Sequence, residues 1–222
     1  MRPGPLIRRL FGPYEHWVAE TYRSVFTNLD DFAELMGNWI PQAERILEVG
    51  CGEGAMTERI TRRYPNASIT AIDITSRVGR LYRGDPSNVT FSQEYVEQVA
   101  CRKPAYFDLI VVVDILHHVP VGDRSSLLAA INQAMAPNGS LIVKDWIISS
   151  TPIHWLCNSS ERYLTGDDVA YLTIGSINTL LTDAFGRDTV RKTEFVRPWK
   201  NNWAALVQPQ NQPVTTTFES NL

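Results

Sequence analysis

The chain has 222 residues, 44% of them hydrophobic and 20% charged, with a formal net charge of −3. That length allows a sizeable core in one decorated domain, and the near-neutral balance gives no bulk electrostatic case for nucleic acid or an acidic membrane surface. Three cysteines without close spacing, Cys51, Cys101 and Cys157, argue against a disulfide framework or a zinc site and point to a reducing, cytoplasmic setting.

The first 13 residues carry three prolines and two glycines and read as an irregular lead-in. They hold basic residues but no long apolar core, so no secretory leader is expected, and no window approaches the roughly 20 apolar residues of a membrane span. From Tyr14 to about Met36, the residues Trp17, Val18, Tyr22, Val25, Phe26, Leu29, Phe32, Leu35 and Met36 recur at helical spacing. Asn28-Leu-Asp-Asp31 is expected to break this stripe into two helices, and Pro41 closes it. A repeating strand–helix pattern follows. Strands are predicted at Arg45 to Val49, Ser68 to Asp73, Val89 to Ser92, Phe107 to Asp114 and Ser140 to Asp145. Helices are predicted between them from Gly54 to Arg63, Thr75 to Tyr82, Glu94 to Ala100 and Asp123 to Met135, the last ended by the turn Ala136-Pro-Asn-Gly139. The unbroken apolar run of FDLIVVVD suits a central parallel strand covered on both faces. Trp146 to Asp168 reads as an irregular polar and aromatic insertion. A helix from Ile174 to Phe185 ends at Gly186. Two strands, Asp188 to Val196 and Trp203 to Val207, then form a hairpin, so one strand runs antiparallel to the rest. The expected organisation is an N-terminal helical cap (1–40), an α/β domain (41–208) and a flexible tail (209–222) rich in Gln, Pro, Asn and Thr.

The glycine loop of RILEVGCGEG lies between a buried strand and a helix, and SITAID ends the next strand in a carboxylate. This is how an α/β sheet holds a nucleoside. The third glycine of the dinucleotide fingerprint would fall at position 55, which is Ala; Gly54 stands one residue earlier. E-V-G-C-G-E-G, Asp73, FDLIVVVDILHHV and APNGSLIV, in this order, resemble the class I S-adenosylmethionine-dependent methyltransferases over roughly Arg45 to Val207. The resemblance implies a three-layer Rossmann-like fold with a seven-stranded sheet in the order 3-2-1-4-5-7-6, strand 7 antiparallel, with S-adenosyl-L-methionine as the methyl donor. It places Glu48, Gly50, Cys51, Gly52 and Gly54 at the donor's amino acid portion and Asp73 on its ribose. Ile74, Glu94 and Tyr95 fall at its adenine and Asp114 beside its methionine portion. Physically, Gly50 and Gly52 let the backbone approach a ligand closely, and a carboxylate at 73 can accept from both ribose hydroxyls. A plainer reading makes Asp73 a helix N-cap and Glu94 a solvated helix-start carboxylate.

Methyl transfer needs an aligned nucleophile whose proton, if present, is removed. His117 matches the catalytic histidine that follows the same strand in small-molecule O-methyltransferases. His154, in the segment after strand five, is the alternative base. Tyr14, Trp17, His118, Trp146, Trp155 and Tyr163 form an aromatic set suited to an organic acceptor; a plainer reading has Trp155 and Tyr163 pack under a lid and Lys144 pair with Asp145. No carboxylate cluster has metal-ligand spacing, so no metal is expected. The reading is a methyltransferase for a small molecule, O-methylation ahead of N- or C-methylation, in secondary metabolism. Alternatives are a donor-binding protein that catalyses a cyclisation or rearrangement without methyl transfer, and a nicotinamide-dependent oxidoreductase. Nucleic acid and membrane are not expected as partners, and the protein is expected to be a monomer or homodimer.

Overall fold

Strand β1 (Arg45–Val49) alternates Leu47 and Val49 toward one face of the sheet and Ile46 and Glu48 toward the other, all four buried. The computed structural model describes residues 25–160 and 169–209, and β1 lies inside its sheet, next to the central strand. Its parallel neighbours are β2 (Ser68–Asp73) and β4 (Phe107–Val113), with β3 (Val89–Gln93) outside β2 and β5 (Met135–Trp146) outside β4. β7 (Asn202–Val207) runs antiparallel to β5 and pairs with the edge strand β6 (Val190–Phe195). The sheet order is therefore 3-2-1-4-5-7-6, as the resemblance implied.

Helices cover both faces. On one, α1 (Leu29–Trp39) and α2 (Ala55–Arg63) bury Phe32, Met36, Met56 and Ile60 against Ile46, Leu109, Val111 and Ile142. On the other, α3 (Val96–Arg102), α4 (Arg124–Ala134) and α6 (Ile174–Phe185) bury Val99, Leu128, Ile131, Ile177 and Leu181 against Leu47, Ile110, Val112 and Leu141. Both faces of β4 are thus dry, which its unbroken apolar run requires. α1 starts where the break was expected: the Asn28 side chain accepts from Asp30 N and Asp31 N, and those acids favour the positive end of the helix.

Three local expectations are corrected. Thr75 to Tyr82 forms turns, not a helix. Gly79 sits at φ +65°, and its N–H and that of Leu81 donate to Gly52 O and Glu53 O, both at 2.9 Å, so the segment's donors serve the glycine loop rather than a helix. Ala136 to Gly139 does not precede a strand but bulges within β5, which pairs Met135 with Phe107 and then Ser140 with Leu109. The segment after β5 is not wholly irregular: α5 (Pro152–Ser160) forms there, turning Cys157 inward and leaving Trp155 exposed.

Candidate active site

The carboxyl ends of β1, β2 and β4 meet at the glycine loop. Gly50 N and Cys51 N donate to Ile72 O at 2.8 and 3.0 Å, which folds the loop back over β2. Gly50 has φ +75°, and a Cβ there would fall 2.0 Å from Ile115 Cδ1, so only glycine fits between the loop and the turn after β4. Asp73 ends β2, its Oδ2 accepting from Gly52 N and its Oδ1 from Thr75 N, each at 2.8 Å. No helix follows Asp73, so it caps none; it ties the glycine loop to the turn after β2, and each carboxylate oxygen keeps a second lone pair. Beneath the loop, Glu48 is 2% exposed and accepts the Thr57 hydroxyl at 2.6 Å. Burial pushes its carboxyl up to about 7; the Thr57 hydrogen bond opposes this and the Asp73 charge adds to it. Burial, with Glu48 and Asp73 nearby, also pushes the Cys51 thiol far up, which makes it no nucleophile at neutral pH.

Above the loop opens a cleft of about 990 Å³, lined among others by Gly50, Asp73, Ile74, Glu94, Tyr95, Ile115 and His118. Its charged lining residues are Asp73, Glu94, Glu97 and Asp123; no Lys or Arg lines it among the described residues. A pyrophosphate would meet only like charge here, whereas a cationic sulfonium and ammonium are favoured. The close-approach glycine, the carboxylate at the end of β2 and the acidic walls together fit S-adenosylmethionine. Glu94, which the resemblance assigns to the adenine, is paired with Arg102 of α3 at 2.5 Å.

At the end of β5, Lys144 and Asp145 do not pair with each other. Alternation sends them to opposite faces. Lys144 Nζ binds both carboxylate oxygens of Asp114, at 2.7 and 2.8 Å. Asp145 accepts from Leu116 N and Trp146 N, both at 2.8 Å, and its Oδ1 lies 2.5 Å from His117 Nδ1. His117 is 1% exposed, stacked on Tyr171 at 5.1 Å and against His118 at 4.2 Å between ring centres. With Nδ1–H directed at Asp145, Nε2 is its basic nitrogen. His118 is the histidine that faces the cleft. His154 accepts the Trp146 indole N–H at Nδ1, 2.9 Å away, so its own proton sits on Nε2. Trp146 is buried, edge-on to Phe26, whereas Trp155 is 71% exposed and faces away from this cluster. Tyr14, Trp17 and Tyr163 lie outside the described residues.

Two residues of this site went unread in the sequence. Tyr171 packs between His117 and His154, its hydroxyl 3.6 Å from Cys157 Sγ. Arg124, 5% exposed, ties Val119 O to Ala170 O at 3.0 and 2.6 Å, while Ala170 N donates to His117 O at 2.8 Å. Tyr171 follows an irregular stretch with no periodicity to flag it. Arg124 opens α4, where a cation is unfavourable to the helix dipole, and that misplacement was the available signal.

Residues 46–139 match the family model described as a methyltransferase domain. That segment carries the glycine loop, Asp73 and β4, and the sheet order is the one that the resemblance to the class I S-adenosylmethionine-dependent methyltransferases implied. The chain is similar to the ubiquinone biosynthesis O-methyltransferase of Pseudomonas aeruginosa, 31% identical over 129 residues, 54% of each chain. The chain therefore spans about half the length of the curated relatives it matches. Among solved structures, it resembles Burkholderia thailandensis 1,6-didemethyltoxoflavin-N1-methyltransferase with bound 1,6-didemethyltoxoflavin and S-adenosylhomocysteine (16% identity, TM-score 0.64, covering 92% of this chain and 88% of that one). It also resembles human N-acetylserotonin methyltransferase in complex with the donor (20% identity, TM-score 0.61, covering 81% and 51%). Those likenesses show the fold.

Proposed function

We propose that the protein transfers a methyl group from S-adenosylmethionine to a small organic acceptor, with a hydroxyl oxygen as the first candidate atom and nitrogen or carbon behind it. The observation that carries this reading is a cation-favouring cleft beside the buried His117–Asp145 pair, at the ends of adjacent strands. The donor supplies a methyl group on a positively charged sulfur. Gly50 and Gly52 admit the amino acid portion, and Asp73 takes the ribose hydroxyls. His117 removes the acceptor's proton at Nε2, and Asp145 stabilises the imidazolium that results. His154 is less suited, because its Nδ1 is already occupied by the Trp146 indole. Oxygen is favoured because a phenol or enol profits most from a base, and because relatives are O-methyltransferases for ubiquinone biosynthesis. A role in secondary metabolism draws on the toxoflavin-type neighbour.

The test is a panel of phenolic and amine acceptors with labelled donor, scored by S-adenosylhomocysteine release and by mass of the product. His117→Ala is expected to lower kcat by about 100-fold or more with donor affinity within about twofold. Turnover that survives makes His117 a wall. Donor binding and conversion of the true acceptor without release of the demethylated product would favour cyclisation or rearrangement. Preferential binding of NAD would favour the oxidoreductase.

A further inference from the structure

Lys144 is a completely buried ammonium whose three protons meet three acceptors: Asp114 Oδ1 and Oδ2, and Thr27 Oγ1 at 2.8 Å. Asp114 ends β4 at φ +55°, a conformation unfavourable for a residue with a Cβ. One residue holds it there from both sides, since Asp114 N also donates to Lys144 O at 2.8 Å. The turn so fixed delivers Ile115 onto Gly50, where its side chain forms a wall of the cleft. On the far side, the Thr27 hydroxyl donates to Asn202 Oδ1 at 3.0 Å, and Asn202 Nδ2 donates to Phe26 O at 2.6 Å. The ammonium thus links the segment entering α1 to the turn over the glycine loop. Lys144 is fully buried while Asp114 is one-third exposed, so the pair must offset the desolvation of the ammonium, and its geometry calls for another reason.

We propose that Lys144 is a positioning residue for the donor cleft: it holds Asp114, and through it Ile115, against the glycine loop, and makes donor affinity depend on the docking of Thr27. This rests on the methyl-donor reading above. Neither Lys144 nor Asp114 lines the cleft, and Asp114 is neutralised by the lysine as Glu94 is by Arg102, which leaves Asp73 as the carboxylate at the end of β2 to face the donor's charge.

The experiment measures S-adenosylhomocysteine affinity by calorimetry on the full chain, for the wild type, Lys144→Met, Thr27→Val and the double variant. Lys144→Met is expected to weaken binding about tenfold or more, and Thr27→Val about threefold. The double variant should be no weaker than Lys144→Met alone, because Thr27 acts through the lysine. By linkage, the ligand should slow amide exchange at Thr27 and Asn28 in the wild type and not in Lys144→Met. A lysine that only props the fold would lower Tm without abolishing that protection. A folded Lys144→Met with wild-type affinity overturns the proposal, as do additive losses in the double variant. If Lys144→Met does not fold, Thr27→Val decides, and unchanged affinity and exchange overturn it. A folded wild type that binds no S-adenosylhomocysteine would sink the donor reading itself, which separates that failure from this one.

Discussion

Glu48→Gln tests the carboxyl under the glycine loop. In the unfolded chain Glu48 ionises near the ordinary value of 4.5; in the folded protein, burial first of all pushes it up to about 7. Between those values the folded state keeps a proton that the unfolded chain has lost. The unfolded state then binds fewer protons, so this group makes stability fall as pH rises through the window, with no further change above it. A rise of that size corresponds to about 3 kcal/mol. Glutamine is nearly isosteric, and its side-chain oxygen can accept the Thr57 hydroxyl as the carboxyl does now. The variant should therefore match the wild type near about pH 5 and exceed it by up to about 3 kcal/mol near about pH 8. Urea unfolding of both proteins across this range gives the difference directly, other titrating groups cancelling, provided the slopes agree. A difference that is flat with pH, or that grows toward acid, would refute the argument that burial holds Glu48 protonated.

Asp73→Asn removes the charge at the end of β2 and leaves one oxygen for two backbone donors; donor affinity should fall about tenfold or more, and unchanged affinity by calorimetry would reject the proposed ribose assignment. Gly50→Ala places a methyl 2.0 Å from Ile115 Cδ1 at φ +75°. It should cost about 2 kcal/mol or more, with part of the Tm recovered by adding Ile115→Ala. Asp145→Asn keeps the shape beside His117 but weakens the stabilisation of its charged form. Product release should slow by about 100-fold or more while donor affinity holds, and an unaltered kcat would remove the pair from the mechanism.

Strands and their order were readable because burial on both faces writes long apolar runs, as in β4, and because a hairpin imposes its own direction on β7. The glycine loop and Asp73 were readable because close backbone approach excludes other residues at fixed offsets. The turns at Thr75 to Tyr82 were misread for a physical reason. Val78, Leu81 and Tyr82 have helical spacing, but the partners that decided the backbone, Gly52 O and Glu53 O, lie more than twenty residues upstream. The acceptor side depended still more on distant pairing. His117 finds Asp145 and Asp114 finds Lys144 only through the register of β4 on β5, and that register includes a bulge. The opposite facing of Lys144 and Asp145 was deducible from strand alternation alone; their partners were not.

That opposite facing has a consequence for how the sheet assembles. If β5 slid by one residue against β4, every side chain on it would change face. The carboxylate would then take the place of the ammonium beside Asp114, a like charge, and the ammonium would lose all three of its acceptors and press on the ring of His117. Neighbouring apolar residues such as Ile142 and Val143 could exchange places at modest cost, since both faces of the strand are oily. Two adjacent buried charges of opposite sign cannot. The Lys144–Asp145 dipeptide thus favours the observed alignment of β5 and penalises its one-residue neighbours.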